Sequence, residues 1–537
     1  MKAKNEGCRK NVSALNLSGT IETIKGGNCK MARLKLKGNK WLAAPAVFLL
    51  LMGCSANETS NQDGKGKEKD AIHIMAPLLS PESPGENSPS LKALEKYTKK
   101  QIKVTWVPNS SYNDKFNIVM ASGDLPQAIV VTDKSPGFIK SVKSGAFWEL
   151  SPYLKDYPNL GKADEKVMKN SSINGEIYGI YRARDLIRAS IIIRTDWLEN
   201  VGMEMPKTID EFYDVLKAFK EKDPDGNGKD DTYGMVVPKW MGLGNGSPWD
   251  IMQTWFGAPN RYGIDEKGEL IPDFTTEEYM EALRFFKKLY DEGLINKDFA
   301  VMDSAKWNDP VVKGKAGVIV DTGSRASQIQ SAMEEADPGN KDVIDVIGTV
   351  KGPKGTYTFP TSGYAGMIAI PKASVKTEKE LKEVLGFLDK MNDEEAQIIA
   401  NNGIKGRNYK LENGTYTSLE KNNKKLLYEH EGLAQFSMGI PEQRYYVEKQ
   451  ESKLFKHREQ ILKEGEKIAV FNPAESLVSD VYTQKGAQLD NIILDAKTQF
   501  IIGDIDEKGF QDAVQLWYKS GGEDLMKELN KRYKETK

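Results

Sequence analysis

The stretch Lys207–Gly234, KTIDEFYDVLKAFKEKDPDGNGKDDTYG, leaves few architectures open to the chain that carries it. Thr208 and Glu211 stand in T-x-x-E order, a capping box that satisfies free N–H groups where a helix starts. Phe212, Val215, Leu216 and Phe219 follow at i, i+3, i+4 and i+7, one apolar stripe. Asp223-Pro224 ends the helix, because proline disfavours a helical residue before it. The next residues are DPDGNGKDD. With Asp223 as position 1, side-chain oxygens fall at positions 1, 3, 5 and 9: Asp223, Asp225, Asn227 and Asp231. Gly228 sits at position 6, where a calcium loop turns sharply, and the Lys229 carbonyl serves position 7. Position 12 is Gly234 rather than the usual bidentate glutamate, and Tyr233–Val237 reads as a strand. The stretch is half an EF-hand: helix in, oxygen-rich loop, strand out. The plainer alternative is a polar turn, since Pro, Asp, Asn and Gly all favour turns. The spacing favours calcium in a structural role.

The 537 residues allow two or more domains with sizeable cores. Net charge is uneven. Met1–Cys54 carries ten Lys and Arg against two Asp and Glu, so +8, while the remainder, 66 against 75, is −9. A chain this acidic after its leader lacks the basic footprint of a nucleic-acid-binding protein. The leader has a basic region at Arg33, Lys35, Lys37 and Lys40, then the apolar run Trp41–Met52, too short for a typical spanning helix. Leu51-Met52-Gly53-Cys54 follows, similar to the lipobox at which bacterial lipoproteins are cut and acylated; the alternative is an ordinary signal peptide that happens to end in cysteine. Met31 is a candidate start, with Met1–Lys30 superfluous to export. The cysteines are Cys8, Cys29 and Cys54, so the mature chain has no disulfide and its one thiol is the one expected to carry lipid. Ser55–Asp70 is polar and reads as a tether.

From Ala71, strands alternate with helices: AIHIMAPL, a helix over Leu91–Lys99, IKVTWV, a helix over Tyr112–Ser122, then LPQAIVV. This order implies a parallel sheet covered by helices. Asn174–Ile180 and Ser190–Arg194 are expected to begin a second block that contains the loop. Phe274–Gly293 repeats the capped-helix pattern, with Thr275 and Glu278 as its box and Gly293 as its stop. Beyond Thr377 the chain is mostly helical.

Hydrolase, zinc and phosphate-loop motifs are absent, and His73, His430 and His457 are scattered. Aromatics stand in broken, loop-like segments: Trp240, Trp249, Trp255 and Phe256 after the calcium-type loop, Trp307 in a polar stretch, and Tyr364 in TSGYAG. Aromatic faces suit the apolar faces of sugar rings, and Trp249, Trp255, Trp307 and Tyr364 are the expected platform. Asp250, Gln253, Asn260 and Arg261 are the expected polar contacts, Arg261 favouring an acidic sugar if it faces a cleft. Each aromatic, taken alone, is more often core.

In this order, lipobox, tether, α/β segment and half EF-hand resemble the family 1 extracellular solute-binding proteins, the substrate receptors of carbohydrate ABC transporters, in their large Gram-positive lipoprotein form. The segments that carry the resemblance are Met120–Val131, Ile173–Ile180, Ile191–Gly228, Gly314–Gly323 and Asp490–Tyr533. The resemblance implies an α/β, two-lobed periplasmic-binding-protein-like clamshell of the type II solute-binding fold. It places chain crossings near Trp148–Tyr153, Phe359–Gly366 and Gly439-Ile440-Pro441. The expected division is a first lobe over 71–150, a second over 151–360, a return to the first over 361–440, and a helical segment over 441–537 packing mainly on the second lobe. The implied activity is non-enzymatic: a monomeric, membrane-anchored extracellular receptor takes an oligosaccharide and gives it to the permease subunits of a transporter. The alternatives are a surface-anchored polysaccharide-degrading enzyme and a receptor for a non-sugar solute.

Overall fold

The computed structural model describes residues 71–412, 415–420, 423–440 and 452–536. The leader, Cys54, the tether and Pro441 of the third expected crossing lie outside the described residues.

Two open sheets organise these residues. The first runs Gln101–Pro108, Ala71–Leu78, Ala128–Val131, Tyr364–Ala369, Ile180–Ala183 in spatial order. Its first three strands are parallel, and Tyr364–Ala369 returns antiparallel between two strands that precede it in sequence. The second sheet runs Ile344–Ile347, Ala189–Arg194, Ala316–Thr322, Tyr233–Met235. Both sheets are covered by helices, so Ala128–Val131 and Ala189–Arg194 are buried along their whole length. Each sheet has its own core, and the fold is the expected α/β clamshell.

The helix of the opening stretch spans Ile209–Glu221 and buries Phe212, Val215, Leu216 and Phe219 against the second sheet. Its cap differs slightly from a reciprocal box. Thr208 Oγ1 accepts from Glu211 N at 3.2 Å, but Glu211 Oε2 accepts from Lys207 N at 2.7 Å, one residue before the cap. The helix Glu277–Asp291 is capped by Thr276, not Thr275, because Thr275 is taken up in a short 3₁₀ turn.

The lobe boundary differs from the expectation. Leu150, Leu154, Leu160, Val167, Ile177 and Tyr181 all pack in the first core, so 151–183 completes the first lobe instead of opening the second. Ile180–Ala183 is an edge strand of the first sheet, and the first crossing lies at Arg184–Arg188, not at Trp148–Tyr153. The physical reason is apolar content: this segment carries enough buried side chains to need a sheet face, and the first sheet supplies it. The second crossing lies between Phe359, in the second core, and Tyr364, in the first sheet. Leu433, Phe436 and Met438 belong to the first core, whereas the helices Asp480–Ile502, Glu507–Trp517 and Glu523–Glu535 pack on the second. Among the described residues, no helix is long and apolar enough to cross a membrane.

Candidate functional site

The two crossings run side by side and form a hinge. Ile187 bridges Pro360, Arg184 N donates to Gly363 O at 2.9 Å, and Thr361 N donates to Leu186 O at 2.7 Å. Thr361 Oγ1 adds a bond to Asp185 O at 2.8 Å. A third segment joins from the C-terminal part: Thr358 N donates to Ile468 O and Val470 N to Thr358 O, both at 3.1 Å. A few residues at element ends absorb the rotation in hinge closure, and this ribbon has that form.

A cavity of about 320 Å³ opens at the hinge, within the size range of small-molecule sites. Asn170 and Tyr364 come from the first lobe, and Trp240, Asn245 and Asn260 from the second. Arg184, Arg188, Phe359 and Ser362 come from the crossings, and Phe471, Asn472 and Glu475 from the C-terminal segment. Among the described residues the site therefore offers four aromatic side chains, several amides and hydroxyls, two guanidinium groups and one carboxylate.

Its walls are fixed from behind. Lys134 Nζ donates to Asn170 O at 2.8 Å, Ser172 O at 3.3 Å and Glu475 O at 2.6 Å, which ties the first lobe to the C-terminal segment. Burial lowers Lys134 to about 8, with the Glu475 charge opposing it. Burial in turn pushes the Glu475 carboxyl up, while Lys134 pulls it back. On the second lobe, Asp250 Oδ2 accepts from Asn245 N, Gly246 N and Ser247 N at 3.0–3.1 Å, so one buried carboxylate holds the loop that carries Asn245 into the cavity.

The aromatic candidates divide. Tyr364 lines the cavity. Trp249, Trp255 and Trp307 do not, and are corrected to core positions. Trp249 lies edge-on to Phe286 and Phe299 at 4.9 and 5.3 Å, and Trp255 to Phe212 at 5.1 Å. Both sit on the helix Pro248–Trp255, which is buried all round, so the segment that reads as a broken loop is a core helix. Trp307 donates Nε1 to Val236 O at 3.0 Å and meets Trp240 edge-on at 6.4 Å, so it backs the aromatic that does reach the cavity. Among the polar candidates only Asn260 lines the cavity. Arg261 is tied elsewhere, donating to Leu243 O and Tyr482 Oη at 2.7 Å and to Asp490 Oδ1 at 3.3 Å, which leaves its charge already paired. Gln253 Nε2 donates to Asp273 Oδ2 at 2.9 Å inside the core. Sequence reasoning missed Arg184, Arg188, Asn170, Phe471, Asn472 and Glu475. The one available signal was the close spacing of Arg182, Arg184 and Arg188 in an acidic chain.

The calcium-type loop lies outside the cavity, at the end of the helix Ile209–Glu221. Asp223 Oδ1 accepts from Asn227 N at 3.1 Å and its Oδ2 from Gly228 N at 2.9 Å. Asp225 Oδ2 and Asp231 Oδ1 converge on Asn227 Nδ2 at 2.5 and 3.3 Å. Lys229 N donates to Asn227 Oδ1 at 2.8 Å, and the Lys315 ammonium pairs with Asp231 Oδ2 at 2.5 Å. Among the described residues, no three Asp, Glu, His or Cys side chains are gathered closely enough to hold a metal ion. The oxygen donors suit a hard cation. Position 12 has no room for a side chain: a Cβ on Gly234 would lie 2.6 Å from Leu216 Cβ. Thr232 is also unavailable, because its hydroxyl donates to Phe219 O at 2.8 Å within the lobe.

Residues 82–398 match the family model described as bacterial extracellular solute-binding protein. The chain is 78% identical to the lipoprotein LipO of Bacillus subtilis, over 93% of this chain and 99% of that protein. It is 35% identical to the polygalacturonan/rhamnogalacturonan-binding protein YtcQ of Bacillus subtilis, over 93% of this chain and all of that one. In fold it is similar to an EF-hand mutant of the Streptococcus pneumoniae ABC-transporter substrate-binding protein FusA in complex with fructo-nystose. That match has a TM-score of 0.61 at 21% identity, over 87% of this chain and 99% of that one.

Proposed function

The chain belongs to the bacterial extracellular solute-binding proteins, and from that premise we propose that it captures an oligosaccharide at the hinge and delivers it to an ABC transporter permease. The observation that carries this reading is the hinge cavity itself, where Trp240, Phe359, Tyr364 and Phe471 stand among amides and hydroxyls. A sugar presents hydroxyls all round and weakly apolar C–H faces, and such a lining meets both. YtcQ is named for binding polygalacturonan and rhamnogalacturonan, and FusA, 30% identical over 64% of this chain, is named as a fructooligosaccharide transporter's substrate-binding protein, which supports an oligosaccharide ligand here. The family consists of receptors rather than catalysts, and among the described residues the cavity lining carries one carboxylate, Glu475, where glycoside hydrolysis uses a pair. A glycan panel read by thermal shift tests the reading: a bound oligosaccharide raises the melting temperature with its concentration and is recovered intact. Turnover of the bound glycan, or stabilisation only by non-sugar solutes, sinks it.

Two finer features accompany the proposal. Cys54 carries the lipid that holds this monomeric receptor on the outer face of the cell membrane; Cys54→Ser should move the protein out of the membrane fraction, and a processed variant that stays there is the contrary result. The loop Asp223–Asp231 takes a structural calcium ion through Asp223, Asp225, Asn227, the Lys229 carbonyl and Asp231. Calcium is then expected to raise the melting temperature and chelator to lower it, with Asp225→Ala insensitive to both. Identical melting curves in calcium and in chelator would leave the loop a turn braced by Lys315.

A further inference from the structure

Arg182, in the edge strand Ile180–Ala183, is followed by Arg184 and Arg188 of the first crossing, in a chain that carries a net −9 after Cys54. Arg184 and Arg188 line the hinge cavity, and they also line a second cavity of about 320 Å³ beside it, where Arg182 joins them. Among the described residues neither Arg184 nor Arg188 has a hydrogen-bonded carboxylate partner, whereas Arg194, Arg261, Arg284 and Arg325 are each held by an Asp or Glu. Burial and the Arg188 charge hold Arg184 below the ordinary range for arginine, against the opposing pull of Asp185. Burial and Arg184 pull Arg182 down to about 10. Asp185 in the second cavity and Glu475 in the first stand beside them, so the three guanidinium groups meet two carboxylates, and the positive excess that is left favours a ligand that brings negative charge. A second observation concerns hydrogen bonding. Asn260 Oδ1 at the first cavity and Gln435 Oε1 at the second are buried with no partner, a state that costs free energy until a donor arrives.

We propose that the ligand is an acidic oligosaccharide spanning both cavities, its carboxylates on Arg184 and Arg188 and its hydroxyls donating to Asn260 and Gln435. The proposal rests on the oligosaccharide reading above. A guanidinium grips a carboxylate through two parallel N–H···O bonds, so the pair selects orientation as well as charge. The shared arginines sit where the two cavities meet, which suits a chain with acid groups on successive rings. The aromatic side chains of the hinge cavity then face the ring carbons rather than the acid groups.

The test is calorimetric titration of the full-length chain in detergent with trigalacturonate, trimannuronate, the methyl ester of trigalacturonate, and maltotriose. One of the two acids is expected to bind at least tenfold more tightly than the ester or maltotriose, and to weaken as salt is raised. Arg184→Gln and Arg188→Gln should each weaken that acid about 10- to 100-fold. Arg184→Lys should recover part of the loss, because lysine keeps the charge without the fork; it also keeps the test interpretable if a glutamine variant fails to fold. Equal binding of acid and ester, or parental affinity in both glutamine variants, overturns the proposal. If maltotriose alone binds, the acidic ligand is wrong and the oligosaccharide reading stands. If neither acid nor maltotriose binds, and the wider glycan panel is also silent, both fall.

Discussion

Lys497→Met is expected to lower the stability of the chain by about 3–5 kcal/mol, the usual cost of leaving buried charge without its partner. Lys497 is fully buried between Asp250 and Asp273, and its ammonium also donates to Met241 O at 3.3 Å. Burial lowers the lysine, and both carboxylates oppose that shift. Burial pushes Asp273 up to about 7, against the pull of Lys497 and with Asp250 adding to the rise. The folded chain keeps a proton on Asp273 that the unfolded chain releases near its ordinary value, so this contribution is complete below about pH 4 and is lost as pH rises toward 7. Asp273→Asn should therefore flatten the melting temperature between those limits, and Lys497→Met/Asp273→Asn should recover part of what Lys497→Met loses. Urea unfolding at pH 5 and pH 8 measures both effects. The same variant has a functional consequence, because Asp250 holds the backbone of Asn245–Ser247 beside the cavity. Lys497→Met should weaken ligand binding as well as folding. Parental stability in that variant would show that the lysine is not the counter-charge of this cluster.

Trp255→Ala is the second large effect, with an expected loss of about 3–5 kcal/mol of stability and unchanged affinity per folded molecule. Its ring is fully buried against Phe212, and its Nε1 is buried with no hydrogen-bond partner. Trp255→Phe should cost much less, because it fills most of the space and removes the unpartnered N–H. Trp240→Ala is the mirror case. Trp240 is partly exposed at the cavity, so its loss should fall on affinity, by about 1–3 kcal/mol if the ring stacks on ligand, with little change in melting. Chemical unfolding and ligand titration on the same samples separate the two. Lost affinity in Trp255→Ala with full stability would return that residue to the binding surface.

Much of the scaffold is legible in the chain because its signals are local. The stripe Phe212, Val215, Leu216, Phe219 is a helical period that any solvent-excluding fold must bury, and the structure buries it. The alternation over 71–131 fixes three parallel strands, since each strand is separated from the next by a helix that must cross back. The oxygen spacing over Asp223–Asp231 is likewise a property of neighbouring residues. Packing alone decided the rest. Whether 151–183 joins the first or the second sheet depends on which sheet face is free, and no local pattern records that. Trp249 and Trp255 look like loop aromatics because glycine and proline flank them, yet Pro248 starts a helix whose whole circumference is enclosed by other elements. Gly234 reads as a missing ligand, while in three dimensions it is the close contact that lets a strand pass Leu216. The cavity draws on Asn170, Arg184, Trp240, Tyr364 and Glu475, residues more than three hundred positions apart at the extremes, whose convergence comes from two crossings pairing as one hinge. The local patterns carry the family and most of the strands and capped helices; which side chains meet at the hinge comes from packing, because chain crossings and burial are set by contacts between distant segments.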